Sequence, residues 1–217
     1  MFTSHFQTWV RRHAQAAAGW LGRLPVTPNQ VTIVGMLVSL LAAALIAGGN
    51  LLAAGLLLAL GGSFDILDGA LARATKRSYP FGAFLDSTTD RYSEAAIYLG
   101  IILFFLGRPN PRPAVVGAIL AIFGSLLVSY VRARAQSLGF KCDSGIFARP
   151  ERVVATVAGL VLGATVLFWI VWLLAVLTNF TAIQRVFEVW GQAREQRSVR
   201  EKATATVPQG SSPEAGQ

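Results

Sequence analysis

Cysteine occurs once in the chain, at position 142, so no intramolecular disulfide can form and a structural zinc site lacks its thiolates. Histidine occurs twice, as His5 and His13, and neither has an acidic or cysteine neighbour, so both read as interfacial polar residues rather than metal ligands. Charge is scarce too: 14% of the 217 residues are charged, against 53% hydrophobic. That balance excludes an ordinary soluble domain and places the chain among membrane proteins. Internal repeats, coiled-coil heptads and a second domain are all missing. So is a compact apolar signal segment, because Met1 to Leu24 is basic, aromatic and interrupted by polar residues, and the chain is expected to remain uncleaved.

What the sequence does have is apolar runs of roughly the 20 residues that cross a bilayer as a helix. Six can be drawn, at roughly 29–48, 51–73, 82–106, 113–136, 151–167 and 168–190. The last two are nearly continuous, and only Gly159 and Gly163 hint at a turn. Before them, Phe2, Phe6, Trp9, Val10 and Trp20 interleave with Arg11 and Arg12, a pattern that predicts an amphipathic helix in the interface. Thr27 and Pro28 then supply an N-cap and a first helical position. The expected fold is an all-α integral membrane protein with six transmembrane helices preceded by an interfacial helix. Its expected divisions are 1–24 for that helix, 25–190 for the membrane domain and 191–217 for a cytoplasmic, largely disordered tail.

Seventeen of the 19 lysines and arginines fall before the first span, around the second-to-third and fourth-to-fifth connections, or after the last span. This predicts a multi-pass protein of the cell membrane with both termini and the richer connections in the cytoplasm. The formal charge of +8 then reflects topology and contact with anionic headgroups, with no nucleic-acid partner expected.

The chain has only eleven acidic residues, and four of them lie in DILDGALARATKRSYPFGAFLDSTTD, residues 65–90. Asp65 and Asp68 are three residues apart and Asp86 and Asp90 four, so each pair shares a helix face. Counted from the cytoplasmic ends of the second and third spans, Asp68 and Asp86 lie about 6–7 Å inside and Asp65 and Asp90 about 12 Å. Four carboxylates at matching depth repel one another unless cations offset them. Hard oxygen donors suit Mg²⁺ or Mn²⁺, and paired divalent ions are a recurrent device for displacement at phosphorus. Gly69 and Gly82 allow close approach of a ligand to the backbone, and Arg73 suits a phosphate. An ion channel or transporter would instead spread acidic residues along a route across the bilayer.

Written out, Asp65-x-x-Asp68-Gly69-x-x-Ala72-Arg73, eight residues, Gly82-x-x-x-Asp86-x-x-x-Asp90 resembles the signature of the CDP-alcohol phosphotransferase family at every defined position. The resemblance extends to Pro28-Asn29-Gln30-Val31-Thr32 and covers roughly residues 20–190. It implies that Asp65, Asp68, Asp86 and Asp90 hold two metal ions, with Asp90 also the general base. It implies further that Asn29, Thr32, Gly69, Arg73 and Gly82 contact the CDP part of a CDP-diacylglycerol donor, that Ala72 is a packing position, and that the enzyme is a homodimer.

The acceptor is carried by SYVRARAQSLGFKCDSGIFARPERVV, residues 129–154, which resembles the branch of the family that uses inositol phosphate. On that resemblance Ser129, Arg132 and Arg152 bind the acceptor phosphate, with Arg134 and Pro150 nearby. Arg132 lies one turn beyond Ser129, and two guanidinium groups with a hydroxyl form a phosphate clamp. Arg134, Lys141 and Arg149 read equally well as positive-inside residues. Arg132 stands where the branch commonly has lysine, and Ala148-Arg149 where it often has an acidic then a basic residue. Glycerol 3-phosphate is therefore the alternative acceptor. Glu94 continues the acidic stripe one turn deeper and is expected to pair with a neighbouring helix or with Arg91 rather than bind metal.

Overall fold

A computed structural model describes residues 26–75, 79–142, 144, 145 and 149–205. These form six helices and no strand: α1 Pro28–Ala47, α2 Leu51–Ala74, α3 Pro80–Leu106, α4 Arg112–Ser137, α5 Arg149–Leu162 and α6 Ala164–Ala205. The expected interfacial helix at 1–24 lies outside the described residues, as do the last twelve positions of the tail.

Each start has a local cause. At α1 the Gln30 amide donates to the Thr27 hydroxyl at 3.3 Å while the Thr27 amide donates to the Gln30 side chain at 2.8 Å, a reciprocal cap with Pro28 following it. Pro80 and Pro113 occupy the opening turns of α3 and α4, where a missing N–H costs nothing. Between α1 and α2, Gly49 takes a φ of +84°, which lets the chain reverse in three residues.

The break between the last two helices corrects the expected boundary at 167/168. It falls at Gly163, whose φ of +99° suits glycine. Gly159 makes the reversal compact, since a Cβ there would sit 3.1 Å from the Leu167 Cα. α5 is thereby only 14 residues long, and α6 begins at Ala164. α6 also runs to Ala205, well past the expected end of helix at 190. Helix formers continue there without a proline, and Arg197 pairs with Glu201 one turn on at 2.8 Å.

Four helices, α1, α2, α4 and α6, are long and apolar enough to cross a membrane. α3 has the length but carries Asp86, Asp90, Arg91 and Glu94, while α5 spans only about 21 Å. Packing relies on small residues, as it does where lipid removes the hydrophobic drive between helices. Ala42, Ala118 and Ala121 are fully buried, and a Cβ on Gly100 would lie 2.5 Å from the Ala43 carbonyl oxygen, which fixes α3 hard against α1. Large apolar side chains instead face outward, among them Leu41, Leu56, Phe123, Trp169 and Phe187, forming the surface that lipid would cover. α1 packs on both α2 and α3, α5 links α2 to α6, and α6 lies along α4.

Candidate active site

The polar side chains gather where α2, α3 and α5 face one another. α2 carries Asp65 and Asp68, and α3 carries Asp86 and Asp90. Asp65 and Asp86 each lie close enough to the other three carboxylates for charge to act between them. Asp68 is the most enclosed, 5% exposed, and accepts a hydrogen bond from the Thr32 hydroxyl at 2.6 Å. Thr32, assigned from the sequence to the nucleotide, thus orients an aspartate across the α1–α2 contact.

The other nucleotide candidates come in two pairs. Asn29, at the start of α1, places its side-chain oxygen 3.2 Å from where a Cβ on Gly82 would be, so the openings of α1 and α3 meet there. Arg73 folds back over Gly69, with a guanidinium nitrogen 3.4 Å from the corresponding Cβ position. A larger side chain would press on Arg73 at Gly69 and on Asn29 at Gly82.

A guanidinium stands among the carboxylates. Arg149, the first residue of α5, reaches Asp65 with one terminal nitrogen at 2.7 Å and Asp90 with the other at 2.8 Å, tying α2 to α3. Arg91 adds a longer contact to Asp90 at 3.4 Å. One turn further along α5, Arg152 forks onto Glu94 at 2.7 and 3.1 Å and is only 3% exposed. Glu94 therefore pairs with a neighbouring helix, as its position suggested. The price of burying Arg152 is offset by that two-point contact, and removing either partner would leave a charge stranded in low dielectric. A cavity of about 40 Å³ opens beside these groups, where Asp65, Ser93, Glu94, Arg149 and Arg152 share the wall with Leu58, Ile97 and Val153.

The remaining acceptor candidates lie at the end of α4. Ser129 donates to the Ser125 carbonyl at 3.2 Å, and Arg132 and Arg134 are exposed. Arg132 and Arg152 are both near enough to Arg185 of α6 to act on its charge, so three guanidinium groups from three helices share this region. Arg185 is 5% exposed and held by the Val128 carbonyl at 2.6 Å and the Ser144 carbonyl at 2.8 Å. Ser144 also hydrogen-bonds Glu188.

Arg149 and Arg185 are the site residues that the sequence does not assign. The sequence leaves Arg149 open between the acceptor site and a positive-inside role, and it places Arg185 only among the basic residues after the last span. Signals existed: Arg149 and Arg152 are three apart and share a face of α5, and Arg185 continues the buried stripe of Thr178 and Thr181.

The donor set is chemically suited to a hard divalent cation, since it consists of carboxylate oxygens with a threonine hydroxyl behind one of them. Among the described residues no three of these acids converge closely enough to form a ready cage.

The family model for CDP-alcohol phosphatidyltransferase matches residues 25–183, a range that holds every one of these groups but Arg185 and Glu188. The chain belongs to that family. It is a transferase. Archaetidylinositol phosphate synthase of Methanothermobacter thermautotrophicus is 39% identical over 191 residues, covering 86% of this chain and 93% of that one. The enzyme of the same name from Pyrococcus horikoshii is 43% identical over 180 residues, covering 82% and 92%. Phosphatidylinositol phosphate synthase of Mycobacterium tuberculosis is 35% identical over 176 residues, covering 77% and 81%. Crystal structures of the Mycobacterium tuberculosis synthase superpose well. The one with CDP-DAG bound has a TM-score of 0.77 at 34% identity, covering 82% of this chain and 94% of that one. The one in complex with manganese and citrate has the same TM-score and identity, covering 82% and 88%.

Proposed function

We propose that this chain transfers the phosphatidyl group of CDP-diacylglycerol to inositol 1-phosphate, releasing CMP. The observation that carries the reading is the meeting of two opposite charge clusters at one end of the bundle. Carboxylates of α2 and α3 meet the arginines of α5, Arg149 on Asp65 and Asp90 and Arg152 on Glu94. Arg152 also lies within charge range of Arg185 of α6, as does Arg132 of α4. A free polyol would need only the first cluster, whereas a phosphorylated acceptor needs the second.

Asp65, Asp68, Asp86 and Asp90 would hold two divalent ions, Mg²⁺ or Mn²⁺, which when bound offset the donor diphosphate charge and stabilise the departing CMP. Asn29, Gly69, Arg73 and Gly82 frame the nucleotide, and Thr32 keeps Asp68 aimed. Arg132, Arg152 and Ser129, joined by Arg185, orient the acceptor through its phosphate. Asp90 takes the proton of an acceptor hydroxyl as that oxygen attacks the phosphorus bearing the lipid, and the bond from this phosphorus to the CMP oxygen breaks. The lipid tails stay in the bilayer throughout, beside the apolar outer faces. In this reading all six helices lie in the membrane, the site and both termini face the cytoplasm, and the enzyme is a homodimer.

Purified protein with Mg²⁺ and CDP-diacylglycerol is expected to release CMP when given inositol 1-phosphate, and little with glycerol 3-phosphate, free inositol or serine. CMP release with glycerol 3-phosphate alone would overturn the acceptor assignment. Repeating the assay with the ether-linked donor tests which lipid is preferred, a question sharpened by the archaetidyl enzymes among the relatives.

A further inference from the structure

We propose that Arg149 is a resident counter-cation of the acidic site, holding Asp65 and Asp90 together until a divalent metal displaces it. The inference rests on the reading of the four aspartates as metal ligands.

α5 is tied to α3 by two arginine–carboxylate rungs. Asp90 and Glu94 are one turn apart on α3, Arg149 and Arg152 one turn apart on α5, and Arg149 meets Asp90 while Arg152 meets Glu94. The rungs differ in one respect. Glu94 belongs to no other assignment, and its bidentate pair with Arg152 is the more enclosed, with side-chain exposures of 3% and 13%. Asp90 and Asp65 are both assigned to metal, and Arg149 is 27% exposed. The Glu94 rung is therefore a permanent fixture and the Arg149 rung an exchangeable one.

Exchange follows from charge and geometry. Arg149 occupies an oxygen of each aspartate at 2.7 and 2.8 Å, and a divalent ion coordinating the same carboxylates would lie within a few ångströms of a guanidinium that cannot deprotonate. The two cations repel at that distance and compete for the same two carboxylates. The small cavity alongside, with the hydroxyls of Ser39, Ser93, Tyr98 and Thr156 in its wall, gives the displaced side chain acceptors close at hand. A turn in that direction brings Arg149 beside Arg152, so metal loading would also add a positive charge on the acceptor side.

The test is Mn²⁺ binding to full-length protein in lipid nanodiscs, followed by the paramagnetic signal of free Mn²⁺, for wild type, Arg149→Gln and Arg149→Lys. Both variants are expected to bind Mn²⁺ roughly tenfold more tightly. Lysine keeps the charge but lacks the fork needed to bridge two carboxylates. Wild-type affinity in both variants overturns the proposal. So does tighter binding in the glutamine variant alone, which would mean that charge acts through space without the bridge. Binding in none of the three proteins overturns the metal assignment instead. A second measurement needs no variant: Mn²⁺ should raise phenylglyoxal modification of Arg149, read by peptide mass spectrometry, while Arg152 stays protected. Unchanged labelling of Arg149 contradicts displacement.

Discussion

Asp90→Asn lowers CMP release by about 10²- to 10⁴-fold, the range expected for removal of a general base. Asparagine keeps the shape and a side-chain oxygen for Arg149 but cannot take a proton. Asp65, Asp68 and Asp86 are untouched, as are the Asn29–Gly82 and Gly69–Arg73 pairs, so affinity for the CDP-linked lipid should change by only a few fold. Turnover and donor binding are measured on the same preparation. Activity equal to wild type would refute the base, and loss of donor binding along with turnover would make Asp90 a metal ligand alone.

Asp65→Asn is expected to fail differently. Asp65 acts on the charge of Asp68, Asp86 and Asp90 and takes one arm of Arg149. Replacing it takes away one of the four carboxylates assigned to metal, so the Mn²⁺ concentration required should rise at least about a hundredfold, with donor binding weakened in parallel. Added Mn²⁺ should recover part of the activity, which it cannot do for Asp90→Asn. Titrating metal against CMP release in both variants separates the roles. Identical metal dependence in wild type and Asp65→Asn would remove Asp65 from the metal set.

Features written in local spacing could be read from the sequence, and features made by helices meeting could not. The start of α1 at Thr27 and Pro28 is a local matter, and the sequence shows it, although the reciprocal bond from Gln30 appears only in the structure. The aspartate pairs are equally local, because a spacing of three or four fixes a helix face without knowledge of the fold. The boundary at Gly163 was not readable in the same way, because hydropathy is continuous from 151 to 190 and registers the bilayer rather than the chain direction. The overrun of α6 to Ala205 has the same cause: loss of apolar character marks where lipid ends, not where helix ends. Arg149 and Arg185 were hidden for a different reason. An arginine near a membrane boundary looks alike in sequence whether it faces water or another helix, and only the arrival of Asp65 and Asp90, or of the Val128 and Ser144 carbonyls, tells them apart. Glu94 shows the intermediate case: its depth pointed to a neighbouring helix or Arg91 rather than metal, yet Arg152 became its partner only once α5 was in place.

The central claim is that an acceptor hydroxyl, activated at the aspartate cluster, attacks the phosphorus that bears the lipid. Inositol 1-phosphate with oxygen-18 in its hydroxyl groups tests it directly when incubated with CDP-diacylglycerol, Mg²⁺ and the protein, followed by mass spectrometry of both products. The account predicts a phosphatidylinositol phosphate that retains every heavy oxygen, alongside CMP that carries none. Heavy oxygen in a nucleotide product would place the attack on the wrong phosphorus, and unlabelled phosphatidic acid in place of the inositol lipid would mean that water, not the polyol, is the acceptor.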